Sequence, residues 1–270
     1  STPGVVLGRR HDPLGVPFYN CPTHGKDVVV DAEQTIVGGV ANVGKGWQML
    51  MECLAAGRGV SLPAQSTGGA KLITRAASAH SVVRQQFGVS IGQFEGIEEP
   101  LARIMGNTYI IDAGLSMAAA AIDHGAKPSV AGAILKYHCT ERARMVSMDA
   151  MDIHGGKGIC LGPNNYVGRG YQAAPIAITV EGANILTRNM MIFGQGAIRC
   201  HPFALEEMTA IVNKDLEHFD NLIYKHAGYM LSNMAKSFWL GLTMGVFSNS
   251  PTNDSTKKYY QWINRFSANL

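Results

Sequence analysis

Glu181 is an isolated carboxylate in Ile178-Thr179-Val180-Glu181-Gly182-Ala183-Asn184, and the nearest charges along the chain are Arg169 before it and Arg188 after it. An apolar run rich in β-branched residues leads into it, and a glycine-opened amphipathic stretch follows. A carboxylate in apolar company has its charged form disfavoured, which moves its proton affinity toward the range useful to a general base. The plainer assignment is a first-turn helix residue favoured by the macrodipole. Position alone favours the plainer assignment, and the rest of the chain reverses it.

Other residues carry chemistry of their own. Arg58, in Ala55-Ala56-Gly57-Arg58-Gly59, has small neighbours that leave room for a close approach. Arg84, in Arg84-Gln85-Gln86-Phe87-Gly88, follows a helical stretch and precedes a glycine turn. An arginine there can cradle a phosphate bidentately or cap the helix C-terminus. His154-Gly155-Gly156-Lys157-Gly158 offers backbone N–H groups with few side chains in the way, suited to an anion such as pyrophosphate. Gly39 to Lys45 matches part of a phosphate-binding loop, but Gly46 stands where Ser or Thr must hold magnesium, so a linker is expected. There is no His-Glu-x-x-His and no Gly-x-Ser-x-Gly, which argues against a metal site and against a serine hydrolase.

The elements that must position these residues are mostly helical. Residues 1–42 hold short β-type runs at Gly4–Leu7, Val28–Val30 and Thr35–Val37, separated by Gly, Pro and Asp. From Gly46 onward the apolar period becomes helical, first in Trp47, Leu50, Met51 and Leu54. Residues 95–154 read as two long antiparallel helices around a polar turn at 123–128, with Pro100 and Pro128 where helices could start. A Gly-rich interruption covers 155–170, and helix is expected again from about Gly182 to Gly196. Two helical segments follow in 202–248, and a short helix lies after 256.

With 270 residues, 46% of them hydrophobic, the chain can bury a sizeable core. A net charge of +3, spread in singles and pairs, argues against a nucleic-acid partner. Cys21, Cys53, Cys139, Cys160 and Cys200 follow no framework, which suggests reduced thiols in a reducing compartment. The chain opens Ser1-Thr2-Pro3 and closes Asn269-Leu270, and reads as a piece of a longer polypeptide or a processed chain. Tyr229–Phe247 is apolar but carries Lys236, so a buried or surface-lying helix is expected, with room for peripheral membrane contact.

Taken in order, these motifs resemble the acyl-CoA dehydrogenase family. Asn42-Val43-Gly44-Lys45-Gly46-Trp47 is similar to the entry into its first bundle helix, and Gly57-Arg58 to its Gly/Glu-Arg signature. Arg84-x-x-Phe87-Gly88, Gly155-Gly156-Lys157-Gly158 and Glu181-Gly182 with Arg188 downstream resemble three further signatures. Residues from Arg199 on look like the extra region of the long bacterial members. The fold class implied is mainly α. It comprises a remnant of the β-domain (1–42), the C-terminal helical bundle (43–198) and the start of a helical C-terminal extension (199–270).

The resemblance implies oxidation of a medium- or long-chain fatty acyl-CoA to the trans-2-enoyl-CoA, the first step of fatty-acid β-oxidation. Glu181 would take the α-proton while the β-hydride passes to FAD. Arg58, Gly182 and Arg188 would contact substrate. Arg84, Phe87, Asp152, Gly155, Gly156 and Ala183 would contact FAD, with Arg84 and Phe87 reaching the cofactor of a neighbouring subunit of a homodimer or homotetramer. Electron-transfer flavoprotein is the implied acceptor, and the implied location is cytoplasmic, with room for contact at the bacterial inner membrane. This chain departs from the family pattern at Ala183, where Thr is usual, at Val180, where Tyr is common, and at Asp152, where Gln is frequent. The part of the β-domain that cradles the flavin ring is missing, so the piece alone is expected to be inactive. The alternatives are an acyl-CoA oxidase or a non-catalytic helical oligomerisation module.

Overall fold

A computed structural model of the chain describes residues 2–16, 20–126 and 129–268. In chain order, β1 (Val5–Leu7) pairs antiparallel with β2 (Thr23–Gly25), and α1 (Ala32–Thr35) is a single turn. Then come α2 (Gly46–Val83), the short hairpin β3 (Gln85–Gln86) and β4 (Val89–Ser90), α3 (Glu95–Asp123) and α4 (Ser129–His154). The small helices α5 (Gly156–Ile159), α6 (Gly168–Thr179) and α7 (Asn184–Asn189) lead into a wide π-helical segment, Met190–Cys200. Finally α8 (Ala204–Asn213), α9 (Leu216–Leu242) and α10 (Lys257–Ser267) complete the described chain.

The chain divides into two compact units, Ser1–Ile192 and Phe193–Leu270. The first is a bundle in which α2, α3 and α4 bury one apolar stripe each. Ala70, Ile73 and Ala77 come from α2, Ile104 and Ile111 from α3, and Cys139, Val146, Ala150 and Ile153 from α4. These spacings of three, four and seven place each set on one helix face. The α3–α4 pair is antiparallel, since Arg103 bridges Asp149 at 2.7 Å while Arg142 donates to Asn107 at 2.6 Å. The small residues sit where helices crowd: a methyl added at Gly59 of α2 would stand 3.3 Å from the Gly132 Cα of α4.

In the second unit α8 ends on Lys214 in the left-handed region, and Asp215 caps α9 by accepting from the His218 N–H. His201, Phe203, His226 and Tyr229 stack together, and His226 pairs with Glu207 at 2.8 Å. Gln261 and Asn264 of α10 donate to the backbone of Val246 and Asn249, which fixes that helix on the preceding turn.

The long helices agree with the sequence pattern, and three local expectations are corrected. Of the N-terminal β-type runs only Val5–Leu7 is a strand. Val28–Val30 has no regular structure and Thr35 closes α1: the two-stranded ribbon offers Val28 only the bare backbone of Gly4 and Gly25 to lie against, and Val29 is 91% exposed. Pro100 lies inside α3, which starts earlier at Glu95 with Glu98 also in its first turn. The Pro128 expectation falls outside the described residues. The β-branched stretch before Glu181 is the end of helix α6, started by Asn165, whose side chain accepts from the Val167 and Gly168 N–H groups. Packing of α6 against α4 overrides the strand propensity of that stretch. The helix expected from Gly182 to Gly196 begins at Asn184 as α7 and continues as the π-helical segment.

Candidate active site

Helix α6 closes at Thr179, and Val180 leaves it extended. Glu181 then takes φ 55° and Gly182 φ 89°, so two successive residues occupy the left-handed region before Ala183 opens α7. Glycine adopts this conformation readily, whereas a glutamate there is strained by about 1–3 kcal/mol and persists only when its surroundings hold it. The turn swings the Glu181 side chain off the helix. Its Oε2 is buried and has no hydrogen-bond partner.

Glu181 forms part of the wall of a cavity of about 560 Å³. Helix α2 contributes Leu62, Gly69, Ala70 and Ile73, α4 contributes Thr140, Ala143 and Ser147, and α6 contributes Gly170, Ala173 and Ala177. Small residues on three facing helices open the space, and its wall is mainly apolar. A carboxylate oxygen without a partner in such a wall suits removal of a proton from a weakly acidic carbon.

Arg144 also lines this cavity, and two further cations lie close to the carboxylate, so its surroundings are not wholly apolar as its sequence neighbours suggest. Arg58 of α2 reaches the turn: a methyl at Gly182 would stand 3.4 Å from its Nη1, and its Nε is buried without a partner. The second cation, Lys136 of α4, escaped the sequence reading altogether. It is fully buried, and its Nζ donates to Ile178 O at 3.1 Å, Gly182 O at 2.9 Å and Asn184 Oδ1 at 2.7 Å. Asn184 in turn donates to Thr140 Oγ1 and Glu141 Oε1, tying α7 to α4. Burial pushes the Lys136 ammonium down to about 8, against the pull of Glu181; Arg58 adds to the lowering and Glu141 opposes it.

A second set of expected residues gathers at another end of the bundle. Arg84 caps α2 just before the β3–β4 hairpin and Phe87 sits at its turn, both exposed, with Phe87 at φ 54° and 95% exposed. Gly155 and Gly156 form an open turn after α4, and Gly155 has nothing within 4 Å of where a side chain would start. The two segments are joined by a stack of His80 on His154, 4.4 Å between ring centres, with Tyr166 edge-on to His154. Burial lowers His80 most, followed by His154, Lys157 and Arg84, which places both cations near the stack. Asp152 is exposed and lies within electrostatic reach of Arg103. Arg188 is exposed at the end of α7 and is not part of the cavity wall. The structure therefore brings Glu181, Gly182 and Arg58 together, and Arg84, Phe87, Gly155 and Gly156 separately. Among the described residues no cluster of His, Cys, Asp and Glu could hold a metal ion.

Residues 44–193 match the family profile described as "Acyl-CoA dehydrogenase, C-terminal domain". This chain belongs to the acyl-CoA dehydrogenase family. Residues 198–270 match a second profile, "Acyl-CoA dehydrogenase, C-terminal, bacterial type". The very long-chain specific acyl-CoA dehydrogenase of mouse mitochondria is 30% identical over 186 residues, 68% of this chain and 27% of that protein. A 76-residue stretch is 54% identical to Protein HemX of Proteus mirabilis, 28% of this chain and 44% of that one. The solved butyryl-CoA dehydrogenase of Megasphaera elsdenii superposes with a TM-score of 0.64 at 28% identity, covering 74% of this chain and 50% of that chain. The chain thus spans about a quarter of the mouse relative and half of the solved one.

FAD is the cofactor that the family implies. The exposed Arg84 guanidinium and Phe87 ring, with the open backbone at Gly156, could hold the diphosphate-bearing end of that molecule, whereas the Gly155 N–H is already donated to Met151 O at 3.0 Å.

Proposed function

We propose that the whole protein is an FAD-dependent acyl-CoA dehydrogenase acting on medium- or long-chain fatty acyl-CoA thioesters. Its product would be the trans-2-enoyl-CoA, as in the first step of fatty-acid β-oxidation. The observation that carries this reading is the buried, unpartnered Oε2 of Glu181 in the wall of an apolar cavity. A carboxylate so placed in water-filled space would be hydrated. Lodged against a thioester acyl chain, it would meet the α-carbon C–H instead.

Glu181 accepts the α-proton, and the electron pair of that C–H bond becomes the new Cα–Cβ π bond as the β-hydrogen leaves as hydride. FAD, when bound, supplies the hydride acceptor. Exclusion of water by the acyl chain strengthens the base and prevents competing hydration. Arg58 and Gly182 lie beside the base without forming part of the cavity wall, and the thioester carbonyl would find donors among the turn's backbone N–H groups. Arg84, Phe87, Gly155 and Gly156 would hold the cofactor of a neighbouring copy, so the active form would be a dimer or tetramer, with electron-transfer flavoprotein as acceptor. Chains of different length are handled within the family, as the names of the mouse and bacterial relatives show.

Anaerobic mixing of the full-length protein with a long-chain acyl-CoA tests this. Wild type should bleach the flavin absorbance, while Glu181→Gln should bind the thioester and slow bleaching by about 10⁴-fold, the upper range for a lost general base. Equal bleaching in both would place the base elsewhere.

A further inference from the structure

We propose that Lys136 is a positioning residue for Glu181, holding the turn that carries the base only while its ammonium group is protonated, and so sets the alkaline limit of the reaction. The inference rests on Glu181 being the base. Lysine head groups are seldom buried without a carboxylate in direct contact. Here all three N–H bonds go to neutral oxygens: the last-turn carbonyl of α6, the Gly182 carbonyl beyond the base, and the first side chain of α7. Those three atoms bracket Glu181 on both sides, and they span the two residues whose positive φ needs external support.

The number of donors matters. An ammonium offers three N–H bonds; the neutral amine offers two and turns a lone pair toward the third oxygen. Loss of the proton therefore breaks one arm of the clamp and removes the positive charge that faces the Glu181 carboxylate. The charged groups bearing on Lys136 are Arg58 from α2, Glu181 from the turn and Glu141 from its own helix. Burial and Arg58 favour the neutral amine while the two carboxylates oppose it, which brings the change to about pH 8, within reach of ordinary assay conditions.

The test uses the flavin-loaded full-length protein and a saturated long-chain acyl-CoA, following anaerobic flavin reduction as pH rises from neutrality. In wild type the reduction rate should fall through about pH 8. Lys136→Met should reduce flavin about 100-fold more slowly, the loss expected for a base displaced by an ångström, with thioester affinity and flavin content unchanged and no alkaline fall. Glu141→Gln removes a carboxylate that favours the charged lysine, so its alkaline fall should move to lower pH. It also decides the matter if Lys136→Met does not fold.

A second readout is independent of turnover. Because the folded-state value lies below the ordinary 10.5, wild type and Glu181→Gln should both gain thermal stability relative to Lys136→Met as pH rises from about 8 to 10.5. An alkaline fall that persists in Lys136→Met, or that stays in place in Glu141→Gln, overturns the proposal. Failure of the base assignment would show differently, as full activity in Glu181→Gln with the stability step intact.

Discussion

Gly182 shows how much of the site depends on single backbone angles. Its φ of 89° follows the 55° of Glu181, and the carbonyl it presents accepts from both Lys136 and Thr187. Replacement by alanine would force a side chain into the left-handed region and place a methyl 3.3 Å from Thr187 Oγ1 and 3.4 Å from Arg58 Nη1. Gly182→Ala should therefore destabilise the bundle by about 1–3 kcal/mol, read as a lowered Tm, and should slow turnover more than it weakens thioester binding. At this scale the sequence was informative about Glu181 and Gly182, because an isolated carboxylate beside a glycine is unusual in apolar surroundings. It was silent about Lys136. A single lysine in Ala133-Ile134-Leu135-Lys136-Tyr137 looks like a solvent-facing helix residue until the fold sets three oxygen acceptors around it.

At the scale of elements, helical periodicity was enough for α2, α3, α4, α8 and α9, since each buries one stripe over several turns and the period repeats. It failed where an element is short or set by a neighbour. Helix α6 is rich in Ala and Ile, contains Pro175 and starts from the Asn165 side chain, so only its packing on α4 makes it a helix. The meeting of α2 and α4 at their C-terminal ends through the His80–His154 stack was equally hidden, because the two histidines are far apart in sequence. Both rings are lowered from the ordinary 6.5, chiefly by burial. The unfolded chain then takes up protons that the folded pair resists, so stability should fall as pH drops below 6.5. His80→Phe keeps a ring in the stack without its proton, and should flatten the dependence of Tm on pH in that range.

Across the whole molecule, the two residue groups have different reach. Glu181 lines a cavity inside its own bundle, whereas Arg84 at the end of α2 and Phe87 at the hairpin turn are exposed, with Phe87 edge-on to Phe94 at 6.3 Å between ring centres. On the proposed reading, this exposed pair would serve another copy's cofactor. The family resemblance already set both apart from the base, and the fold places them at another end of the bundle from Glu181. If each site takes its base from one subunit and Arg84 from the next, two inactive variants should complement each other. Co-assembled Arg84→Ala and Glu181→Gln subunits of the full-length protein would form hybrids with one complete site: the base comes from the first variant, and the cofactor contact from the second. Random pairing should then restore about a quarter of wild-type activity in a dimer with two-fold symmetry. Activity staying at the level of the separate variants would mean that Arg84 serves the site of its own subunit.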